Sequence, residues 1–168
     1  MESSQFQDIS LNYKEFGNQE NFWVCNFDNN TNYQIHATLL AVGNWSYIYA
    51  DNQTIEQDGI DEWITNWEFY GDEFDSIIYP KAIELAGSPD GNLGDVDGDP
   101  HVTMLFSPIT GATGYYAYVN DLTIHYYSNR REMFYIDSIL DLFEVMITIP
   151  HEFNHLIWVN QWSRPCVI

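Results

Sequence analysis

Basic residues are scarce in this chain. Of its 168 residues, 5 are Lys or Arg and 25 are Asp or Glu, which gives a formal net charge of −20 at pH 7. A surface of this sign repels phosphate backbones and anionic lipids, and this argues against nucleic acid and membrane partners. Cations are its natural ligands, so the charge serves either solubility alone or the attraction of calcium or a cationic substrate.

Cysteine and long apolar runs are equally scarce. Cys25 and Cys166 lie near opposite ends of the chain, and two cysteines without close spacing do not fix the redox compartment. The first eight residues contain no basic segment followed by an apolar run, so we expect no signal peptide within this chain. No uninterrupted apolar run approaches the length of a bilayer span, and we therefore expect a soluble protein.

Aromatic residues, in contrast, are abundant. Phe, Trp and Tyr make up 17% of the chain, and hydrophobic residues as a whole make up 45%. This composition excludes a disordered chain and supplies enough apolar surface for the core of one domain. The patterning predicts an irregular lead-in over residues 1–20, followed by a single domain over residues 21–168.

The first part of that domain, residues 21–50, has the pattern of β-strands. Apolar side chains alternate with others over residues 33–42, and a second extended run covers residues 22–27. Gly43-Asn44 is a typical two-residue hairpin sequence, and residues 45–49 supply the returning strand. The pattern predicts a small antiparallel sheet.

Helix and strand signals alternate over residues 54–168. Thr54-Ile55-Glu56-Gln57 matches a capping box and predicts the start of a helix. Apolar residues at three- and four-residue spacing then predict a long amphipathic helix, which Pro80 ends or kinks because it disfavours helix at Tyr79. Further strands are predicted over residues 102–106, 115–119 and 130–137. The order of these elements predicts an α+β fold.

A loop rich in Asp and Gly separates the long helix from the second group of strands. Asp95, Asp97 and Asp99 stand at alternate positions, as at the start of an EF-hand calcium loop. Pro100 replaces the glycine that such a loop requires, and Phe106 replaces its bidentate glutamate, so the segment is not an EF-hand. The residues predict either a plain turn or a weak calcium site of looser geometry.

The sequence His151-Glu152-Phe153-Asn154-His155 is an HExxH motif. A chain of this composition contains about 0.01 such matches by chance. Residues four apart share one face of a helix, so His151 and His155 are the predicted zinc ligands, and Glu152 is the predicted general base beside the attacking water. Apolar spacing over residues 139–161 predicts the surrounding helix, in one piece or in two.

A third zinc ligand is missing from this motif. Catalytic zinc sites usually have three protein ligands and leave a fourth position open. The extension HExxHxxGxxH would require Gly and His where this chain has Trp158 and Gln161, which excludes the metzincin pattern. No Glu follows Glu152 in this sequence. His101, His125 or an Asp remain as substitute ligands.

Five segments carry a resemblance to a known family. They are Phe22-Trp23-Val24, Asp97 to Thr103, Gly111 to Tyr116, Arg131 to Asp137 and Thr148 to Leu156. Together and in this order they resemble secreted zinc metallopeptidases of the hyicolysin and immune-inhibitor-like groups, although only HExxH is specific by itself.

The resemblance implies a zincin-like catalytic domain that acts on peptides or proteins in an extracellular setting. It implies Zn²⁺ bound by His151 and His155, with Glu152 as the base. It also implies an acidic third ligand in a downstream segment like Asn-Glu-Gly, whereas residues 163–168 differ from the family's continuation. We therefore expect a chain that is truncated before the third ligand.

Two other functions stay open. One is a catalytically inactive remnant that holds a metal weakly through two histidines. The other is an acidic extracellular binding module in which HExxH is accidental. Pro150 departs from the family pattern, because a proline before the first histidine removes one helix hydrogen bond and makes the helix kink or begin afresh.

Overall fold

The computed structural model describes residues 14–58, 60–91 and 95–162. A six-stranded mixed sheet carries helices on one of its faces, which confirms the predicted α+β class. The strands are β1 (Gln19–Asn26), β2 (Thr31–Val42), β3 (Ser46–Asp51), β4 (Val102–Ser107), β5 (Gly114–Tyr116) and β6 (Met133–Asp137). The helices are α1 (Asn52–Asp58), α2 (Ile60–Glu73), α3 (Tyr79–Ala86) and α4 (Leu142–Trp162), with a π-helical turn at Phe74–Ile78 and a 3₁₀ turn at Tyr118–Asp121.

The strand order in the sheet is β1-β2-β3-β4-β6-β5. β1, β2 and β3 pair antiparallel, and they form the small antiparallel sheet that the sequence predicts. β3, β4 and β6 run parallel, whereas β5 returns antiparallel along the outer side of β6. The predicted antiparallel sheet is thus one end of a larger, six-stranded sheet. In that sheet, α1, α2 and α3 connect the parallel strands β3 and β4.

Apolar side chains fill both faces of the sheet. All six residues of β4 are buried, because Met104 points toward the helices while Leu105 points to the opposite face. The helix side contains Trp67 and Phe153, and the other side contains Tyr49 and its aromatic neighbours. The strands therefore have the continuous apolar character that is typical of a sheet covered on both faces.

The helix-free face is closed by the curl of the sheet. The N–H of Cys25 in β1 donates to the hydroxyl of Tyr115 in β5 at 3.0 Å, although these strands lie at opposite ends of the strand order. The N–H of Trp23 donates to Oδ1 of Asn129 at 2.8 Å. These contacts hold β1 against the segment around β5 and close the second core.

α1 begins two residues before the predicted capping box. Its cap is Asp51, whose Oδ1 accepts the N–H of Gln53 at 3.0 Å. Thr54 lies inside the helix, where its hydroxyl is 3.3 Å from that of Ser138. The predicted start is wrong because the last residue of β3 supplies the same kind of acceptor earlier in the chain.

The long helix continues past Pro80. Tyr79 keeps helical backbone angles (φ −57°, ψ −54°), and its N–H donates to the carbonyl of Phe74 across the π-helical turn. Pro80 then lies in the first turn of α3, a position where a missing N–H is tolerated. The helix therefore does not end at Tyr79 as predicted. It continues, and only its hydrogen-bond register changes at the π-helical turn.

α4 is one helix of 21 residues, with Pro150 inside it. Its buried apolar stripe packs against β5, β6 and α3. The stripe consists of Val145, Ile149, Phe153, Leu156 and Ile157. Leu142, which the sequence places on the same stripe, is 50% exposed near the start of the helix.

Two predictions fall partly outside the described residues. Cys166 lies outside them, so the question of a disulfide with the half-buried Cys25 falls outside them too. The lead-in predicted over residues 1–20 also lies mostly outside them, and Gln19 and Glu20 already belong to β1. Within the described ranges, no helix is both long enough and apolar enough to cross a membrane.

Candidate metal centre

α4 presents His151 and His155 together on its exposed side. Their Nε2 atoms are 3.1 Å apart, and their rings meet edge to face at an interplanar angle of 87°. Zinc–nitrogen bonds of about 2.0–2.1 Å in tetrahedral geometry place two nitrogen ligands roughly 3.4 Å apart. The two nitrogens therefore converge as two ligands of one zinc ion would.

Glu152 lies beside this pair but in a different environment. Its side chain is 7% exposed, against 64% for His151, and its Oε1 is 4.0 Å from Nε2 of that histidine. Burial raises the pKa of Glu152, while interactions with His151, His155 and the backbone of Tyr116 oppose the shift. A carboxyl group with a raised pKa is a stronger base at neutral pH than an exposed one.

β5 lies tightly against α4 beside Glu152. Gly114 of β5 faces the helix at this point. A Cβ on Gly114 would lie 2.6 Å from Cγ2 of Thr148 and 3.1 Å from Cγ of Glu152, which leaves no room for a side chain. The sequence predicts a strand over residues 115–119 and shows the family resemblance from Gly111 to Tyr116, but neither indicates that Gly114 lies against α4.

Among the described residues, no third His, Cys, Asp or Glu joins His151 and His155 in a group of metal-ligand atoms. His101 stacks on Tyr47, with ring centroids 4.2 Å apart, and its Nδ1 contacts Asp99. His125 accepts the N–H of Tyr127 at its Nδ1, at 3.2 Å. His101 and His125, the two histidines considered as substitute ligands, thus have partners elsewhere. Among the described residues, His151 and His155 therefore supply two of the ligands that a zinc ion needs.

A second group of ligand-type atoms lies near the Asp-rich loop. Asp95, Asp97 and Glu132 each place one carboxylate oxygen within 4.8 Å of the others. Glu132 is 2% exposed, and its Oε1 accepts the N–H of Val96 at 2.9 Å. Burial raises the pKa of Glu132 to about 8. Oxygen ligands of this kind suit calcium, but their clustering alone does not establish a site.

Asp99, the third residue of the predicted calcium loop, points away from this group. Its Oδ2 accepts the hydroxyl of Tyr47 at 2.9 Å, and its Oδ1 accepts the N–H of His101 at 3.2 Å. The structure therefore brings Asp95 and Asp97 together with Glu132 instead. Glu132 carries no loop signal in the sequence, because it directly precedes β6 far from the loop along the chain.

Exposed apolar side chains flank the histidines along α4. They repeat at four-residue spacing on both sides of the HExxH sequence, a stripe that we call the outer face of α4. Its members are Phe143 (73% exposed), Ile147 (54%), Trp158 (64%) and Trp162 (73%).

One comparison with known proteins bears on this site. Neutral metalloprotease ShpI of Staphylococcus hyicus is 28% identical to this chain over 177 aligned residues. The alignment covers 95% of this chain and 38% of that relative, so the chain spans well under half of the relative's length. No protein-family model matches the chain. The similarity supports a metallopeptidase lineage and, with it, a metal cofactor.

Proposed function

We propose that this chain is part of a zinc-dependent endopeptidase, with His151 and His155 as metal ligands and Glu152 as general base. The observation that carries the proposal is the convergence of the two Nε2 atoms, 3.1 Å apart, beside a buried carboxyl group. The similarity to a metalloprotease over most of the chain supports the same reaction class. The resemblance noted in the sequence adds an extracellular setting.

Zn²⁺, when bound at these histidines, supplies a Lewis acid that activates water and polarises a carbonyl group. The remaining chemistry is that of the chain's own residues. Glu152 accepts the proton that the attacking water loses and returns it to the leaving amine nitrogen. Its burial favours this exchange, because it moves the pKa of the carboxyl group closer to neutral pH.

The edge of the sheet supports a peptide substrate. β5 pairs with β6 on one side and has no strand partner on the other within the described residues. In an antiparallel pair, backbone groups alternate between the partner and the outer side. The N–H of Asp137 donates to the carbonyl of Thr113, so the backbone groups of Gly114 and Tyr116 point outward. An extended peptide added along this outer edge would lie beside α4 and close to Glu152, because Gly114 packs against that side chain.

The third ligand belongs to a downstream segment under this proposal. Two histidines leave a catalytic zinc site one ligand short. The outer face of α4 offers an apolar surface on either side of the pair, on which such a segment can pack.

The test uses the chain extended by the sequence that follows it in its gene. We expect near-stoichiometric zinc and hydrolysis of unfolded protein substrates that is abolished by a chelator. Glu152→Gln should lower kcat by about 10²- to 10⁴-fold with zinc retained. Glu84→Gln, an exposed glutamate on α3, is the matched control. An extended chain without metal, or full activity of Glu152→Gln, would contradict the proposal.

One observation favours a second candidate, an inactive remnant of this lineage that binds metal weakly. Only two nitrogen ligands converge among the described residues. We expect such a remnant to bind zinc weakly and to hydrolyse no peptide. Peptide hydrolysis by the purified 168-residue chain, sensitive to chelator and to Glu152→Gln, would exclude this candidate. A calcium role for the acidic loop also stays a prediction, now with Glu132 beside Asp95 and Asp97.

A further inference from the structure

A pocket of about 510 Å³ lies between α2 and the start of α4. Its walls include the aromatic rings of Trp67, Tyr70 and Phe106. The pocket is separate from the metal centre, because Asp141 at its rim precedes His151 by roughly 15 Å along the helix axis. Its volume is in the usual range for a ligand pocket.

Two buried side chains of this pocket have unused hydrogen-bonding capacity. Tyr70 is 5% exposed, and its hydroxyl makes no hydrogen bond to another described residue. Asp137 is 4% exposed, and its Oδ1 accepts the N–H groups of Ile109 and Ile139 at 3.1 and 3.4 Å. Its Oδ2 accepts no hydrogen bond from the described part of the chain. A buried oxygen without a partner is costly, so a ligand that supplies donors here is stabilised.

Asp141 adds a second carboxylate to the pocket. Its Oδ1 accepts the N–H of Glu144 at 2.9 Å, and Oε2 of Glu144 accepts the N–H of Asp141 at 3.1 Å, which forms a capping box at the start of α4. These two charges offset the partial positive charge of the helix N-terminus. Burial and the charge of Asp141 raise the pKa of Tyr70, so its hydroxyl lies in the field of this carboxylate. No Lys, Arg or His is among the residues that line the pocket.

A primary ammonium group matches these side chains. It has three N–H donors and no acceptor, whereas the pocket offers two carboxylates and a hydroxyl oxygen. Hydrogen bonds from an ammonium group to a carboxylate are among the strongest in proteins. The aromatic walls suit the apolar stem of such a ligand, and the face of a ring attracts the cation itself.

An apolar groove continues from the pocket across the surface. It shares Asp141 and Leu142 with the pocket, and its other members are Phe69, Phe143 and Met146. Leu142 and Phe143 are 50% and 73% exposed. A groove of this kind fits a peptide better than a small free amine, because the residues beside a lysine can bury their apolar side chains in it.

We propose that this pocket is a docking site for a lysine side chain of a peptide, whose flanking apolar residues lie in the groove. Its role in the choice of substrate rests on the proposed function. In that role it favours substrates with a lysine at least about four residues from the cleaved bond, the number that spans 15 Å in an extended chain. The binding itself does not rest on that function, and it can be tested without any metal.

The first measurement is an NMR titration of the metal-free 168-residue chain with the peptide acetyl-Ala-Leu-Lys-Phe-Ala-amide. Its counterpart with norleucine in place of lysine keeps an apolar stem and lacks the charge. The lysine peptide should bind at least about tenfold more tightly, the effect of one charge-assisted hydrogen bond, and should shift the amide signals of residues 137–146. Equal binding of the two peptides, or shifts centred on residues 151–155, would overturn the proposal.

A free amine distinguishes the two sources of an ammonium group. n-Butylamine, which is the lysine side chain alone, should bind at least about tenfold more weakly than the lysine peptide, because it leaves the groove empty. Equal binding of n-butylamine would identify a small-amine pocket and would overturn the assignment to a peptide.

Two variants in the same helical turn give a matched comparison. Asp141→Asn and Glu144→Gln each remove one negative charge and keep an acceptor for the capping box, but only Asp141 lines the pocket. Asp141→Asn should weaken binding of the lysine peptide about fivefold, and Glu144→Gln should change it less than twofold. Tyr70→Phe, which removes the buried hydroxyl, should also weaken binding about fivefold. Unchanged affinity in both Asp141→Asn and Tyr70→Phe would overturn the proposal.

The second measurement uses the extended chain with zinc. Asp141→Asn should raise KM about fivefold for a substrate that carries the lysine and less than twofold for its norleucine counterpart. Weakened binding in the metal-free chain with an unchanged KM overturns the role in substrate choice. Full activity of Glu152→Gln, in contrast, contradicts the proposed function, and the peptide titrations then decide alone whether the pocket binds lysine.

Discussion

The two groups of ligand-type side chains in this molecule are built in opposite ways. His151 and His155 lie on successive turns of α4, and the helix alone brings their Nε2 atoms to 3.1 Å. Asp95 and Asp97 come from a loop, whereas Glu132 directly precedes β6, so only the folded sheet brings these carboxylates together. The first arrangement requires one helix, and the second requires the tertiary fold.

This difference has a chemical counterpart. The histidines are exposed and offer neutral nitrogen ligands, which suit zinc. Glu132 is buried and offers oxygen beside two exposed aspartates, a donor set that suits calcium. The two groups should therefore respond independently to metals, to pH and to substitution.

The largest expected effect is on metal affinity, because a substitution in the histidine group should weaken zinc binding and leave calcium binding at the acidic group unchanged. In the extended chain, His155→Ala should weaken zinc binding by at least about 100-fold, because even the loss of an outer-shell partner costs a metal site 10- to 100-fold. Calcium binding should not change. Titration calorimetry with each metal measures both. His125→Ala, a histidine outside the helix, is the control, and equal zinc affinity in His155→Ala would refute the ligand assignment.

The next effect is the pH dependence of stability, which should come from the acidic group. The folded pKa of Glu132 is about 8, above its ordinary value of 4.5. The folded protein therefore keeps a proton that the unfolded chain has lost, and stability should fall as pH rises from 5 to 8, by on the order of 3 kcal/mol.

Urea unfolding at pH 5 and at pH 8 measures this change. Glu132→Gln should flatten it, because its amide does not titrate. Asp121, whose pKa is raised to about 7, contributes in the same direction, and Asp121→Asn should remove its part. A stability that rises over this interval in the parent chain, or an unchanged slope in Glu132→Gln, would contradict the prediction.

A smaller effect would show that the histidine site also depends on the rest of the fold. Gly114→Ala places a methyl group 2.6 Å from Cγ2 of Thr148, so β5 and α4 must separate. We expect a loss of about 2 kcal/mol in unfolding free energy, the usual cost of overpacking. Gly71→Ala is the control, since its Cβ would meet its nearest neighbour at an ordinary 3.6 Å. Equal stability of the two variants would indicate that β5 does not support the site.

The smallest effect is the stabilisation by calcium. A weak site with a dissociation constant near 1 mM would raise the unfolding free energy by about 1.4 kcal/mol at 10 mM Ca²⁺. The increase should be larger at pH 8 than at pH 5, because Glu132 must lose its proton to bind the ion. Glu132→Gln should abolish it and Asp99→Asn should keep most of it. An equal increase in Glu132→Gln would show that the acidic group is not the site.

The sequence predicts what depends on local spacing. The α4 helix, the shared face of its two histidines and the antiparallel wing of β1, β2 and β3 all follow from periodicity. The zinc and base assignments follow from the motif and its resemblance, and they stay predictions that the geometry supports.

The sequence does not predict what depends on contacts across the fold. The close packing of Gly114 against Glu152 and the place of Glu132 in the acidic group both arise from strand order, which no local pattern specifies. The same cause explains two smaller errors. Asp51 caps α1 because β3 ends there, and the helix continues beyond Pro80 because a π-helical turn changes its hydrogen-bond register.

Pro150 divides α4 into a part before it and a part after it that differ in how firmly they are held. Proline has no N–H to donate to the carbonyl of Met146, so the helix is softest just before His151. Beyond this point the helix is anchored, because Asn160 donates to Pro89 and Gln161 donates to the carbonyl of Ser88 at 2.9 Å. Bending at this joint displaces the first two turns of α4 relative to the sheet, while both ligands and the base stay together on the anchored side. We expect the site to move with the anchored part of α4 when the helix bends at Pro150.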